Sequence, residues 1–215
     1  MARKRVAVII SGRGSNMAAL IEAAKAADYP AQIALVVSNR PDAGGLSLAH
    51  AAGIETAVID HTTFGKDRAA FERALQAVLE KNRIDLVCLA GFLRLLTPYF
   101  IGLWDGRLIN IHPALLPAFK GLDTHERALD AGVKIHGATV HFVVPEMDSG
   151  PVIAQAAVPV LDTDDAEALA ARVLKAEHAL YPFALRLVAE GRVRAVGNRC
   201  VVEASSSADR ILIVP

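Results

Sequence analysis

A chain of 215 residues, 53% of them hydrophobic, carries enough apolar material for one sizeable core, as a single domain or two tightly fused halves. Its 23 basic and 23 acidic residues cancel, so no net field draws it to nucleic acid or an anionic membrane, and a tRNA-sized polyanion is not expected as substrate. No apolar run approaches the roughly 18 residues that span a bilayer, and the stretch after Met-Ala-Arg-Lys-Arg is too short for an export signal, so a compact cytoplasmic protein is expected.

Val6 to Ile10 predicts a first strand, Ser11-Gly12-Arg13-Gly14-Ser15-Asn16 a glycine turn, and the alanine-rich stretch to about Ala27 a helix. Ile33 to Val37 reads as a second strand, Gly45 to Ala52 as a short helix and Thr56 to Ile59 as a third strand. From Asp67 to Asn82 the apolar positions Ala70, Phe71, Ala74, Leu75, Val78 and Leu79 keep helical spacing with charges between them. Leu86 to Ala90 reads as a central strand, Thr97-Pro98 as a helix start, and Leu108 to Ile111 as strand again. Alternation of this kind, with near-continuous apolar strands, predicts an α/β fold: a Rossmann-like, mostly parallel sheet with helices on both faces. Thr139 to Val144 and Val152 to Val160 follow each other without a helix, so the second half is expected to be mixed or antiparallel. A last long helix is expected from near Asp164, capped with Glu167 three residues on, and Pro182 should end or kink it. On this reading a first half, about 1–105, binds nucleotide phosphate, a second, about 106–190, carries the chemistry, and 191–215 is a tail containing the serine run Ser205 to Ser207.

In open α/β sheets ligands collect at the carboxyl ends of the strands, and three such ends carry unusual chemistry here. Ser11 to Asn16 combines glycines with a helix start, whose free backbone N–H groups hold an anion. The bland alternative is an ordinary strand-to-helix turn. A dinucleotide is disfavoured because Met17 stands where a third glycine is expected and Val37-Ser38-Asn39 brings no acid for a ribose; a single phosphate monoester fits better. Asn110 and His112, two apart on a strand, face the same way, and Pro113 stops the strand there. An amide donor beside a histidine can stabilise an oxyanion and move a proton; a lone histidine is as often structural. Asp148 in Asp-Ser-Gly-Pro is by default a turn former, functional only if it meets His112, which it would orient. His136 and His141, an odd number apart, should face opposite sides. Cys88 reads as a small buried hydrophobe, Cys200 is far from it, and no paired-cysteine spacing calls for zinc, so no disulfide and no metal are expected. A Gly-x-Ser-x-Gly elbow is absent, which argues against a covalent serine.

Ser11-Gly12-x-Gly14-Ser15-Asn16, Ala90-Gly91-Phe92-Leu93-Arg94, Asn110-Ile111-His112-Pro113-x-Leu115-Leu116-Pro117, His136-Gly137 and Asp148-Ser149-Gly150-Pro151 together resemble the glycinamide ribonucleotide transformylases of the formyltransferase superfamily, from about Val6 to Val188. The resemblance implies small-molecule substrates only: attack of the glycinamide amine on the formyl carbon of 10-formyltetrahydrofolate, in purine synthesis. Asn110 and His112 would hold the oxyanion and move the proton, with Asp148 behind the histidine. Gly14, Ser15, Asn16, Met17 and Ala18 would hold the nucleotide phosphate, and Leu174, Lys175, Ala176 and Glu177 would reach its ribose or glycinamide. The folate would lie against Leu93, Arg94, Leu95 and Leu96, against Asn110, and against Val144, Pro145, Glu146, Met147 and Asp148, with Arg68 near its glutamate tail. Leu93 stands where the family commonly has methionine, Lys120-Gly121 replaces a more usual proline-glycine, and beyond Gly191 the match fades. A monomer or homodimer is expected.

Rival readings are a formyltetrahydrofolate hydrolase, whose relatives carry a further domain in front, and a methionyl-tRNA formyltransferase, which would need an RNA-binding domain and a basic surface. A third is a catalytically idle folate-binding module.

Overall fold

The computed structural model describes residues 2–203; the rest of the expected tail, including Ser205 to Ser207, lies outside the described residues. The chain alternates β1 (Lys4–Ile10), α1 (Ser15–Ala24), β2 (Ala31–Ser38), α2 (Gly44–Ala51), β3 (Thr56–Val58), a 3-10 turn (His61–Phe64), α3 (Arg68–Lys81), β4 (Leu86–Leu89), α4 (Pro98–Leu103), β5 (Leu108–His112) and α5 (Thr124–Asp130). It then runs β6 (Ile135–Phe142), β7 (Val152–Pro159), α6 (Ala166–Ala189), β8 (Val193–Val196) and β9 (Arg199–Val202). One seven-stranded sheet has the order β3-β2-β1-β4-β5-β6-β7. Its first five strands in that order pair parallel, whereas β6 and β7 pair antiparallel.

The hydrophobic pattern explains the two-sided packing. In β1 every residue from Val6 to Ile10 is buried, because successive side chains enter different cores. Val6, Val8 and Ile10 join a cluster with α1 and α6, whereas Ala7 and Ile9 join one with α3 and α4. The order reverses between β1 and β4, and in open α/β sheets such a switch point is where ligands bind, beyond the carboxyl ends of the strands.

α6 is anchored by Tyr181, fully buried, whose hydroxyl lies 2.9 Å from Leu89 O and 3.2 Å from Ile109 O. Pro182 does not end this helix, which runs on to Ala189. Leu180, Tyr181, Ala184, Leu185 and Leu187 are buried around it. Burying large apolar side chains contributes roughly 1.5–3 kcal/mol each, which outweighs the about 3 kcal/mol that a helix-interior proline costs. The N-cap is Asp165, which accepts from Ala168 N; Asp164 instead bonds Leu161 N and pairs with Arg172, so the expected Asp164–Glu167 box does not form. Two further expectations are corrected. α1 stops at Ala24, its exit tightened by bonds from Lys25 N to Glu22 O and from Ala26 N to Ala23 O. β6 starts at Ile135 and ends at Phe142, not Val144, and the chain bends at Pro145 and Glu146 before the turn at Met147 and Asp148. The β8-β9 hairpin was not expected.

Candidate active site

The end of β5 and the loop after β6 meet. β5 places Asn110 and His112 on one face, and antiparallel pairing sets His141 opposite Asn110 and Thr139 opposite His112. The loop after β6 returns Asp148 to this face in a positive-φ conformation (50°). Gly150 two residues on presses against the end of β6, where an added Cβ would lie 1.7 Å from Phe142 O. The expected meeting of His112 and Asp148 occurs: His112 Nδ1 lies 3.4 Å from Asp148 Oδ2, with the side chains 7% and 11% exposed. The same Oδ2 accepts from Gly121 N at 2.9 Å. Lys120 Nζ reaches Ser149 Oγ at 2.6 Å, so the segment after β5 is laced to the Asp148 loop.

His141 belongs to the same cluster, and motif reading passed it over. Its Nδ1 donates to Phe142 O at 2.8 Å, which leaves Nε2 as an acceptor for the Asn110 amide at 3.3 Å. Burial holds the ring's pKa below the usual histidine value, in keeping with a neutral acceptor. His141 therefore fixes which way the Asn110 amide points. The pairing of β5 with β6 was the signal that could have found it. His136 has other neighbours, packing edge-on to His125 and Phe119, so the odd spacing correctly separated the two histidines.

Both ring nitrogens of His112 face oxygen acceptors, Asp148 Oδ2 at Nδ1 and Phe119 O at Nε2, the latter at 2.9 Å. With Nδ1 turned to the carboxylate, Nε2 is the nitrogen that can work on a substrate, by exchanging its bond to Phe119 O. Among the described residues no group of three His, Cys, Asp or Glu is placed to hold a metal ion. Burial pushes the Cys88 thiol up to about 12, leaving it an inert hydrophobe.

At the end of β1, Gly14 caps α1 in a left-handed conformation (φ 77°), and no acid lies in the first turn. The N–H groups of Ser15, Asn16 and Met17 are the free donors there, because that of Ala18 is bonded to Gly14 O. Met17 is fully buried, backbone and side chain together, so it presents no open surface to a ligand, and the accessible N–H groups at this helix start are those of Ser15 and Asn16. Gly14 is forced by packing as well: a Cβ would come within 2.8 Å of Gly45 Cα. α6 brings Glu177 against this helix start, with Asn16 Nδ2 donating to Glu177 Oε2 at 2.9 Å. Burial raises the Glu177 pKa above the usual carboxylate value, and the Asn16 bond offsets part of that rise. Leu174 and Ala176 on the same helix are half-buried and Lys175 is exposed. The Asn16–Glu177 bond thus joins segments 161 positions apart in sequence.

The segment Leu93 to Leu96 lies between β4 and α4, with Leu93 and Leu95 exposed. Arg94 sits over the Phe71 ring at 5.1 Å, and Phe92 stacks on Phe71. Arg68, the exposed first residue of α3, is three residues before Phe71 and shares its side of the helix. Val144 is half-buried, and Pro145, Glu146 and Met147 are exposed in the loop that leads to Asp148. An open crevice of about 560 Å³ flanks this loop, lined by Leu116, Lys120, Glu146, Asp148 and, from the unexpected hairpin, Asn198.

An amide and an imidazole side by side, a carboxylate behind the imidazole and a helix start with free N–H groups together suit transfer of a small acyl group to an amine of a phosphorylated substrate. The comparisons agree with that chemistry. The formyl transferase family matches residues 4–185. The Escherichia coli phosphoribosylglycinamide formyltransferase is 44% identical over 189 residues, 88% of this chain and 89% of that one. The bovine trifunctional purine biosynthetic protein adenosine-3 is 50% identical over 192 residues, and the chain spans only 19% of its length. The crystal structure of phosphoribosylglycinamide formyltransferase from Brucella melitensis superposes with a TM-score of 0.84 at 55% identity, covering 90% of this chain and 100% of that one. The chain belongs to the formyl transferase family and groups there with the phosphoribosylglycinamide formyltransferases.

Proposed function

We propose that this protein transfers the formyl group of 10-formyltetrahydrofolate to the amine of 5-phosphoribosylglycinamide, giving formylglycinamide ribonucleotide and tetrahydrofolate in purine biosynthesis. The observation that carries the reading is the meeting of Asn110, His112 and Asp148 from separate strand ends, with His141 orienting the amide. The nucleotide phosphate takes the free N–H groups at the start of α1, and Asn16 with Glu177 meets the polar part of the same substrate. The folate ring lies along Leu93 to Leu96 and the loop from Val144 to Met147, with its glutamate tail towards Arg68.

The amine nitrogen attacks the formyl carbon, and its carbonyl becomes an oxyanion that the Asn110 amide and His112 stabilise. The proton lost by the amine moves through His112 to the departing folate nitrogen as the intermediate collapses. Asp148 stabilises the charge that develops on the ring during that passage. Fixed donors of this kind act without reorganisation, which is why a pinned amide matters.

Incubation with 10-formyltetrahydrofolate, with and without the nucleotide, tests the proposal. Formylated nucleotide and tetrahydrofolate should appear in equal amounts, and only when both substrates are present. Formate release without the nucleotide would favour a hydrolase; folate binding without turnover would favour an idle module.

A further inference from the structure

The segment Gly91 to Leu96 has no regular secondary structure, yet Leu93 is 74% and Leu95 58% exposed. Exposed leucines on an irregular loop ordinarily settle onto the nearest apolar surface. This loop is held at both ends by buried polar side chains. At its start, Ser11 is 3% exposed; its N–H donates to Gly91 O at 3.2 Å and its hydroxyl accepts from Leu93 N at 2.9 Å. The same hydroxyl donates to Asn39 Oδ1 at 2.6 Å, and Asn39 is itself pinned by His61, whose Nδ1 lies 2.8 Å from Asn39 O. Ser11 opens the glycine motif, but its hydroxyl is engaged in both directions and faces the loop, not an anion.

At the other end Glu72 reaches across from α3 with 3% exposure. It accepts from Thr97 N at 2.6 Å and from the Thr97 hydroxyl, and Thr97 caps α4. A buried carboxylate is costly unless it is well bonded, and both hydrogen-bond donors on this one among the described residues come from Thr97, where the loop ends. Between the clamps Phe92 rests on Phe71 with ring centroids 6.5 Å apart.

We propose that Ser11 and Glu72 are positioning residues that hold the Gly91–Leu96 wall in the shape that receives the folate ring, although neither touches it. The inference rests on the assignment of this wall to folate made above.

Calorimetry on the full chain with tetrahydrofolate and, separately, with 5-phosphoribosylglycinamide tests both. Ser11→Ala and Glu72→Ala should each weaken tetrahydrofolate about tenfold, the worth of roughly one net hydrogen bond, and change nucleotide affinity by no more than about twofold. Glu72→Gln should lose less than Glu72→Ala, because its amide oxygen still accepts from Thr97 N. If Glu72→Ala does not fold, Thr97→Val, which removes the hydroxyl alone, carries the same expectation. Equal losses for the two ligands, or a lowered melting temperature with unchanged tetrahydrofolate affinity, would reduce both residues to structural supports and overturn the inference. Leu95→Asp separates the two levels. If it folds and leaves tetrahydrofolate affinity unchanged, the wall is not the folate site and the clamp inference falls with it; if it weakens folate while the clamp variants do not, the clamp inference alone fails.

Discussion

Asp148→Asn is the most informative change, because the structure dictates how the new amide must sit. Gly121 N donates to Oδ2 at 2.9 Å, so the asparagine oxygen takes that position and keeps its place 3.4 Å from His112 Nδ1. The NH2 group then falls where Oδ1 stands, 3.8 Å from His141 Nε2. Shape and backbone contact survive, and only the charge is lost. Two unit charges 3.4 Å apart interact by roughly 5 kcal/mol at an effective dielectric of about 20, before desolvation is subtracted. A loss of about 10² to 10⁴ in kcat, roughly 3 to 5 kcal/mol of barrier, is therefore expected, with both KM values little changed. His112→Ala should be at least as severe, and the double variant should lose far less than the product of the single losses, because the pair acts as a unit. Steady-state kinetics on the three variants, with circular dichroism to confirm folding, is the assay. An Asp148→Asn enzyme with near-normal kcat, or fully additive losses, would show that Asp148 is a turn residue and nothing more.

Gly14→Ala should lower stability by about 2 to 4 kcal/mol, from a left-handed backbone and a Cβ driven into Gly45; an unchanged denaturation midpoint would refute the packing argument. The clash falls on protein backbone before any ligand arrives, so nucleotide binding by this variant has to be measured on its folded fraction. Glu177→Gln keeps an oxygen for Asn16 and removes a carboxyl whose folded pKa is raised by burial. The folded wild type binds the extra proton, so its stability declines as pH rises from the unfolded value near 4.5 through the folded pKa, and the variant should lack that decline in pH-dependent denaturation. The same variant should weaken the nucleotide while sparing folate in paired titrations, and parallel slopes or a folate-only loss would count against the assignment.

The parallel half of the sheet was legible because its strands are buried on both faces and read as unbroken apolar runs, as in Val6 to Ile10. The shared face of Asn110 and His112 was legible from strand alternation, whereas Asp148 by itself read as a turn former and was tied to His112 only through the resemblance. What was missed depends on distant pairing. His141 acquires its role from the β5-β6 register, which no local pattern encodes. The start of β6 at Ile135 was hidden by Lys134 and Gly137, whose composition reads as loop until β7 pairs with it. Pro182 illustrates tertiary burial overriding a local breaker signal. Gly45 and Glu72 carry no signature of their own, and Ser11 was read as part of an anion loop, because each matters through contact with a segment remote in sequence.

The phenol of Tyr181 behaves as a depth gauge for the last helix. Its hydroxyl sits between the carbonyls of two neighbouring strands, at 2.9 Å from Leu89 O and 3.2 Å from Ile109 O. Sliding the helix by one residue would move that oxygen about 1.5 Å along the axis and swing it by about 100°, breaking both contacts inside a closed core. Glu177 lies one turn earlier on the same rod, and Ile109 is the residue before Asn110. The hydroxyl therefore sets the height of Glu177 against the end of β5 that carries Asn110. Tyr181→Phe would preserve the packing and free the helix to drift, and Glu177 and Asn110 would lose their common datum with little change in the fold.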